Sequence, residues 1–312
     1  MLPTRIRVLL WTRVNRRSIS KCLLGAALTP FLRGDDNTAQ LEIGGGVIDI
    51  TFPVVEFDVG RAGLLAWVKR AAEAVTWYFG KYPVPHARVM IREGRRNGVS
   101  NGVTFGEGGV RTRIAAGPHS TEAELEDDWT MTHEMVHYGF PSVEDNHHWI
   151  EEGSAVYIEP VARVHVGQLK PERIWGDMVR DMPQGLPAAG DEGLDNTHTW
   201  ARTYWGGAIF CLLADIEMRK HSKNKQGLQD AFRAINAAGG TVDKDWPMER
   251  AFEMGDKATG GTALMDLWKK MGPQACDVDL ADLWKQLGVV RNEGKVTFDS
   301  KAPLAAIRAA IA

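Results

Sequence analysis

The chain has 312 residues, 44% of them hydrophobic and 25% charged, which is enough to bury a sizeable core as one large domain or two lobes and too apolar to stay disordered. Its net charge of -3 gives no electrostatic footprint for nucleic acid, and along the chain basic residues gather only near the N-terminus, which argues against a nucleic-acid partner. No apolar run reaches the roughly 20 residues that a membrane-crossing helix requires, so no transmembrane segment is expected.

The N-terminus has a basic-then-apolar layout, with Arg5, Arg7, Arg13, Arg16, Arg17 and Lys21 ahead of the apolar run 22–32. Within it the segment NRRSISK, residues 15–21, resembles a twin-arginine translocation signal, which carries folded proteins. Residues 1–39 are therefore expected to be an export signal leading to the periplasm or the outside of the cell. Removing them leaves 30 basic and 38 acidic residues, an acidic remainder. Cys22 would leave with the signal, and Cys211, in an apolar helical run, is expected to be a buried free thiol.

Residues 47–52 alternate apolar and polar in the strand period, while 63–79 repeat their apolar positions at helical spacing and are stopped by Gly80 and Pro83. Strands are expected again over 87–93 and 111–115, separated by a glycine-rich stretch from Asn97 to Gly109. Gly44–Gly46 precede a strand and do not open a helix, which fits a turn and not a phosphate-binding loop. From residue 120 the pattern becomes helical, starting with Thr121 and Glu124 in the spacing of a capping box. Further helices are expected over 149–163, 199–221, 226–237 and 261–271, then a short hairpin turning at Asn292–Gly294 and an alanine-rich final helix. The layout is α+β, with a small mixed sheet lobe over 40–118 followed by a helical lobe over 119–312, both belonging to one domain.

The chemistry is concentrated in HEMVH, residues 133–137, expected in the last turns of the helix that begins near Thr121. Positions four apart lie on one helix face, so His133 and His137 can direct ring nitrogens to one metal ion while Glu134 is offset toward the open coordination position. This is the zinc-metallopeptidase pattern. A catalytic zinc takes three protein ligands and keeps the fourth position for water, so a third ligand is needed. The next predicted helix carries WIEEGSAVYIE, residues 149–159.

Here the chain resembles the gluzincins related to aminopeptidase N and the glycyl aminopeptidases, through Trp149, Glu152, Gly153, Ala155, Tyr157 and Glu159. The resemblance implies a thermolysin-like core holding one zinc ion between the sheet lobe and the helical lobe. It makes Glu152, and not Glu151, the third ligand. Glu159, on the same helix face, is the candidate for fixing a histidine tautomer. His147 and His148, a pair ahead of this helix, read as exposed or supporting residues. The segment 203–219 resembles the family's helix that begins at the catalytic tyrosine, which places that tyrosine at Tyr204, with Gly207 and Ala208 fitting and Gly206 where lysine is common. Tyr138 and Tyr157 are the competing candidates, and close backbone approach would explain the pair Gly206–Gly207.

Together these features imply hydrolysis of a peptide bond in a peptide or protein substrate, with Glu134 as general base and Tyr204 as donor to the oxyanion. The stretch 98–109 lacks the Met-Glu-Asn triplet by which aminopeptidase N relatives hold a substrate's free amine, and Glu107 lies only in the same region. A hydrolase of a non-peptide substrate on this scaffold and a catalytically silent zinc-holding factor are the alternatives.

Overall fold

The computed structural model describes residues 37–312. The export-signal expectation lies outside the described residues except at its end, where the division at residue 39 falls inside the first strand.

Strands β1 (Thr38–Ile43) and β2 (Gly46–Thr51) form an antiparallel hairpin turning at Gly44–Gly45, and helix α1 (Gly60–Phe79) crosses over to β3 (His86–Glu93), parallel to β2. Strand β4 (Val99–Phe105) then pairs antiparallel with β5 (Arg111–Ala116), which lies parallel to β3, so the sheet order is β1-β2-β3-β5-β4 with β4 at the edge. The period-2 patterns of β2, β3 and β5 bury Ile48, Ile50, Val89, Ile91 and Ile114 against Val68, Ala72 and Val75 of α1 in one continuous core. Strand β4 was not anticipated. It carries Ser100, Asn101 and Gly102, residues of low strand propensity, and is made a strand by its pairing with β5.

The outer face of the same sheet corrects the linear reading of charge. Arg88 and Arg92 of β3 and Arg111 and Arg113 of β5 share it, and Arg88 stands directly opposite Arg111 in the ladder. Residues far apart in sequence thus make a basic face that a scan along the chain does not reveal.

The helical part begins with α2 (Glu122–Asp127) and α3 (Thr130–Val136), where a single helix was expected. Thr121 and Glu124 form the expected capping box on α2, but Asp128 is extended and its carboxylate accepts from the N–H groups of Thr130 (2.9 Å) and Met131 (3.0 Å), restarting the helix. A short acidic side chain competing with the backbone ladder is the physical cause of the break. There follow α4 (His148–His165), α5 (Pro171–Asp181), α6 (Gly207–His221), α7 (Leu228–Ala237), α8 (Met248–Thr259), α9 (Ala263–Met271) and α10 (Leu280–Leu287). The expected hairpin is β6 (Val289–Asn292) with β7 (Lys295–Phe298), and the final helix is α11 (Ala305–Ile311). Helix α1 packs on both α3 and α4, joining the sheet to the helical part. Among the described residues no helix is long and apolar enough to cross a membrane. Cys211 is buried and free, as expected, and Cys276 is also free.

Candidate metal centre

Helix α3 holds His133 and Glu134, and His137 opens the 3-10 turn His137–Gly139 that continues it, so the four-residue spacing still puts both imidazoles on one side. Their ring centroids are 5.0 Å apart. Glu152, in the second turn of α4, faces them, with its Oε2 3.1 Å from His133 Nε2 and 3.7 Å from His137 Nε2. All three donor atoms lie within 4.8 Å of one another. Bond lengths of about 2.0–2.2 Å to a tetrahedral zinc put neighbouring donors roughly 3.4 Å apart, which the two measured separations bracket. Two imidazole nitrogens and a carboxylate oxygen are also the donor types that a hydrolytic zinc takes. The residues present therefore fit the ion.

Glu151 turns elsewhere, accepting from the Val143 N–H at 2.8 Å, so adjacent glutamates on α4 do different jobs. Burial alone would raise the Glu152 carboxyl, but hydrogen bonds from His133 and His148 and the nearby imidazoles hold it well below the ordinary carboxylate range. His148 Nε2 lies 3.3 Å from Glu152 Oε1, and its bonds to Glu151 and Glu152 push its pKa up to about 10. His147 pairs instead with Asp195 at 2.9 Å. Asp195 also accepts from the indoles of Trp149 and Trp268, tying α4 to α9. Sequence reasoning gave no sign of Asp195, because its partners are spread over 121 positions and share no motif.

Glu134 lies beside the donor cluster and outside it, 7% exposed, with a pKa raised by burial and opposed by the charge of His137. It is covered by the edge strand: a Cβ on Gly102 would come within 2.7 Å of Glu134 Cγ and 2.8 Å of its Oε1. Glycine is thus what lets β4 lie over this carboxylate. The neighbouring Thr104 donates to the Glu134 backbone carbonyl at 3.0 Å, fixing strand to helix. Glu107 sits in the exposed turn beyond β4 and is not among the residues whose donor atoms cluster.

The three tyrosine candidates separate cleanly. The Tyr138 hydroxyl is buried against Thr112 at 2.6 Å and the Tyr157 hydroxyl donates to Asp215 at 2.8 Å. Tyr204 alone reaches the cluster, its ring parallel to that of His133 at 6.1 Å, and burial together with the Glu152 charge raises its pKa. It lies in a π-helical turn, Arg202–Gly206, of the sort that recurs at functional sites. Buried Arg202 secures this turn through Asp191, at 2.7 Å, and the Gly185 carbonyl.

Close approach explains Gly207. A Cβ there would come within 2.2 Å of the Trp149 carbonyl, and one on Gly153 within 2.3 Å of Gly207 Cα, so α4 and α6 meet backbone to backbone beside Glu152 and Tyr204. Gly207→Ala is expected to push the helices apart and cost about 1–3 kcal/mol, measured as a lowered midpoint in urea unfolding. An unchanged midpoint would mean that the contact has slack.

Glu159 does not do what was expected of it. Its carboxylate accepts from Arg163 Nη1 at 2.7 Å, one turn along α4, and burial raises its pKa to about 7 in spite of that partner. Arg163 in turn donates to the Glu126 carbonyl at 2.8 Å, so the pair braces α4 against α2. His133 Nδ1 has no hydrogen-bond partner among the described residues. Sharing a helix face with Glu152 was insufficient, because an arginine four residues on captures the carboxylate first.

Solved structures share this architecture. An aminopeptidase N family protein from Idiomarina loihiensis superposes with a TM-score of 0.60 at 14% identity, over 81% of this chain and 49% of that one. An M1 zinc metallopeptidase variant from Deinococcus radiodurans, bound to a Tyr-Ser-Ala substrate, gives 0.50 at 14% identity, over 77% of this chain and 52% of that one. The likeness is one of fold. The chain spans about half the length of these structures, as a mixed α/β unit corresponding to part of the M1 peptidase fold. No family profile and no curated protein matches the sequence.

Proposed function

We propose that the chain is a zinc-dependent peptidase with a thermolysin-like, gluzincin-type centre, in which His133, His137 and Glu152 hold one ion. The observation that carries the reading is the spacing of the three donor atoms, which suits tetrahedral zinc, next to a buried glutamate left out of the donor set. The likeness in fold to zinc metallopeptidases, one of them holding a tripeptide, supports the same reaction class.

When bound, the ion supplies a Lewis acid and makes water acidic enough to be used near neutral pH. Glu134, its pKa raised by burial, takes a proton from the attacking water and delivers it to the leaving amine. The Tyr204 hydroxyl donates to the oxyanion that develops on the peptide carbonyl, and the raised pKa keeps that proton in place. Gly102 and Thr104 hold the edge strand against Glu134 and limit how far the carboxylate can wander.

Digestion of a peptide library by the zinc-loaded protein, read by mass spectrometry, tests the proposal, and absence of any cleavage counts against it. Tyr204→Phe deletes only the hydroxyl and is expected to lower kcat by about 10²–10³-fold with little change in KM. A fall confined to KM would instead make Tyr204 a binding residue.

A further inference from the structure

Trp129 and Trp200 are the exposed tryptophans among the described residues, at 53% and 61%, and both stand at the metal centre. Trp129 meets the His133 ring edge to face at 5.3 Å, and Trp200 stacks on Tyr204 at 5.4 Å. With the parallel contact between His133 and Tyr204 at 6.1 Å, four rings form one continuous series, with an open indole at each end.

The fold makes little use of these two indoles. Trp67, Trp149, Trp175 and Trp268 each spend the ring N–H on a partner within the protein, at 2.9–3.1 Å, and Trp77, Trp205, Trp246 and Trp284 pack in or against the core, whereas Trp129 and Trp200 are exposed and donate to none of the described residues. Nor does the Trp129 side chain cap its helix, since the Asp128 carboxylate next to it does so. What the backbone does provide is a fixed mounting, with the Trp129 carbonyl bonded to the His133 N–H at 3.0 Å and Trp200 at the start of the helical stretch that runs into the π turn. Two large apolar faces are thereby kept in water, at a cost, and held in place beside the reacting groups.

We infer that Trp129 and Trp200 form an aromatic rim that selects peptides with an aromatic or large aliphatic side chain next to the bond that is cut. This rests on the peptidase reading and adds its substrate class. A side chain laid on an indole face removes apolar surface on both partners and gains ring-to-ring attraction, a gain that glycine or a small polar residue at that position cannot offer. Strand β4, from Val99 to Phe105, carries no acidic residue beside Gly102, so nothing on it offers a free amine a charge partner that would outweigh the apolar preference.

The test uses the full chain loaded with zinc and a set of quenched fluorescent peptides that differ only at the residues flanking the central bond, which are glycine, leucine, phenylalanine, lysine or glutamate. Wild type is expected to cleave the phenylalanine peptide with kcat/KM at least about 10-fold above the glycine peptide. Trp129→Ala and Trp200→Ala should each cut that ratio about 2–10-fold, mainly through KM, with Trp→Phe at the same positions restoring most of it. Cleavage with equal or greater preference for glycine, lysine or glutamate overturns the rim and leaves the peptidase reading intact.

Binding to the zinc-loaded Glu134→Gln protein, measured by calorimetry, separates the two claims. Tighter binding of the phenylalanine peptide that either tryptophan variant weakens upholds the rim, even if wild type cleaves nothing and hydrolysis must be abandoned. Equal binding of the phenylalanine and glycine peptides, or tighter binding of a chitin-type oligosaccharide than of any peptide, overturns it.

Discussion

Glu134→Gln is expected to lower peptide hydrolysis by about 10²–10⁴-fold while zinc stays bound. The carboxylate is not among the three donors that cluster within 4.8 Å, so replacing it by an amide of nearly the same size leaves the ion's ligands untouched. Gly102, having no Cβ, leaves the space beside Cγ and Oε1 open, and glutamine has the same shape there as glutamate. What disappears is the ability to take and return a proton. The measurement is kcat on whichever library peptide wild type cuts, alongside metal content by elemental analysis. Retained zinc with full wild-type turnover would show that another group is the base. If wild type cuts nothing but binds a partner in a zinc-dependent way, the protein is a zinc-holding factor.

The second large effect concerns the ligands. His133→Ala, His137→Ala and Glu152→Ala are each expected to take zinc content from about one ion per chain to near zero and to abolish activity, since a catalytic site has no spare protein ligand. Glu151→Ala is the informative control. Its carboxylate is bonded to the Val143 backbone, so the variant should keep its zinc. Binding to the folded state alone also predicts that saturating zinc raises the thermal midpoint of wild type and of Glu151→Ala, and leaves the Glu152→Ala protein unmoved. Full zinc occupancy in Glu152→Ala would remove this residue from the ligand set.

Much of this arrangement was legible in the sequence, because its determinants are local. The spacing of His133 and His137 obeys helical geometry even though the second histidine lies in a 3-10 turn, and the alternation in β2, β3 and β5 reflects one buried face. The parts that were missed depend on partners distant in sequence. Strand β4 has weak local preference and is formed by its neighbour, and the four arginines of the outer face meet only once strands are ordered in space. Asp128 splits an expected helix through hydrogen bonds that a pattern of apolar residues does not report. Glu159 illustrates the opposite error, in which a correct face assignment led to the wrong partner because Arg163 was nearer.

The π turn at Arg202–Gly206 means that the position of the Tyr204 hydroxyl is set by chain length as much as by side-chain identity. A π turn holds one residue more than an ordinary helical turn, so Tyr204 is out of phase with the face that α6 presents to α4 through Gly207. Deleting one residue between Tyr204 and Gly207 would restore the regular ladder and turn the phenol around the helix axis, away from its place beside His133. Relatives that keep both residues but lose the extra position would have a tyrosine in the right place in an alignment and in the wrong place in space.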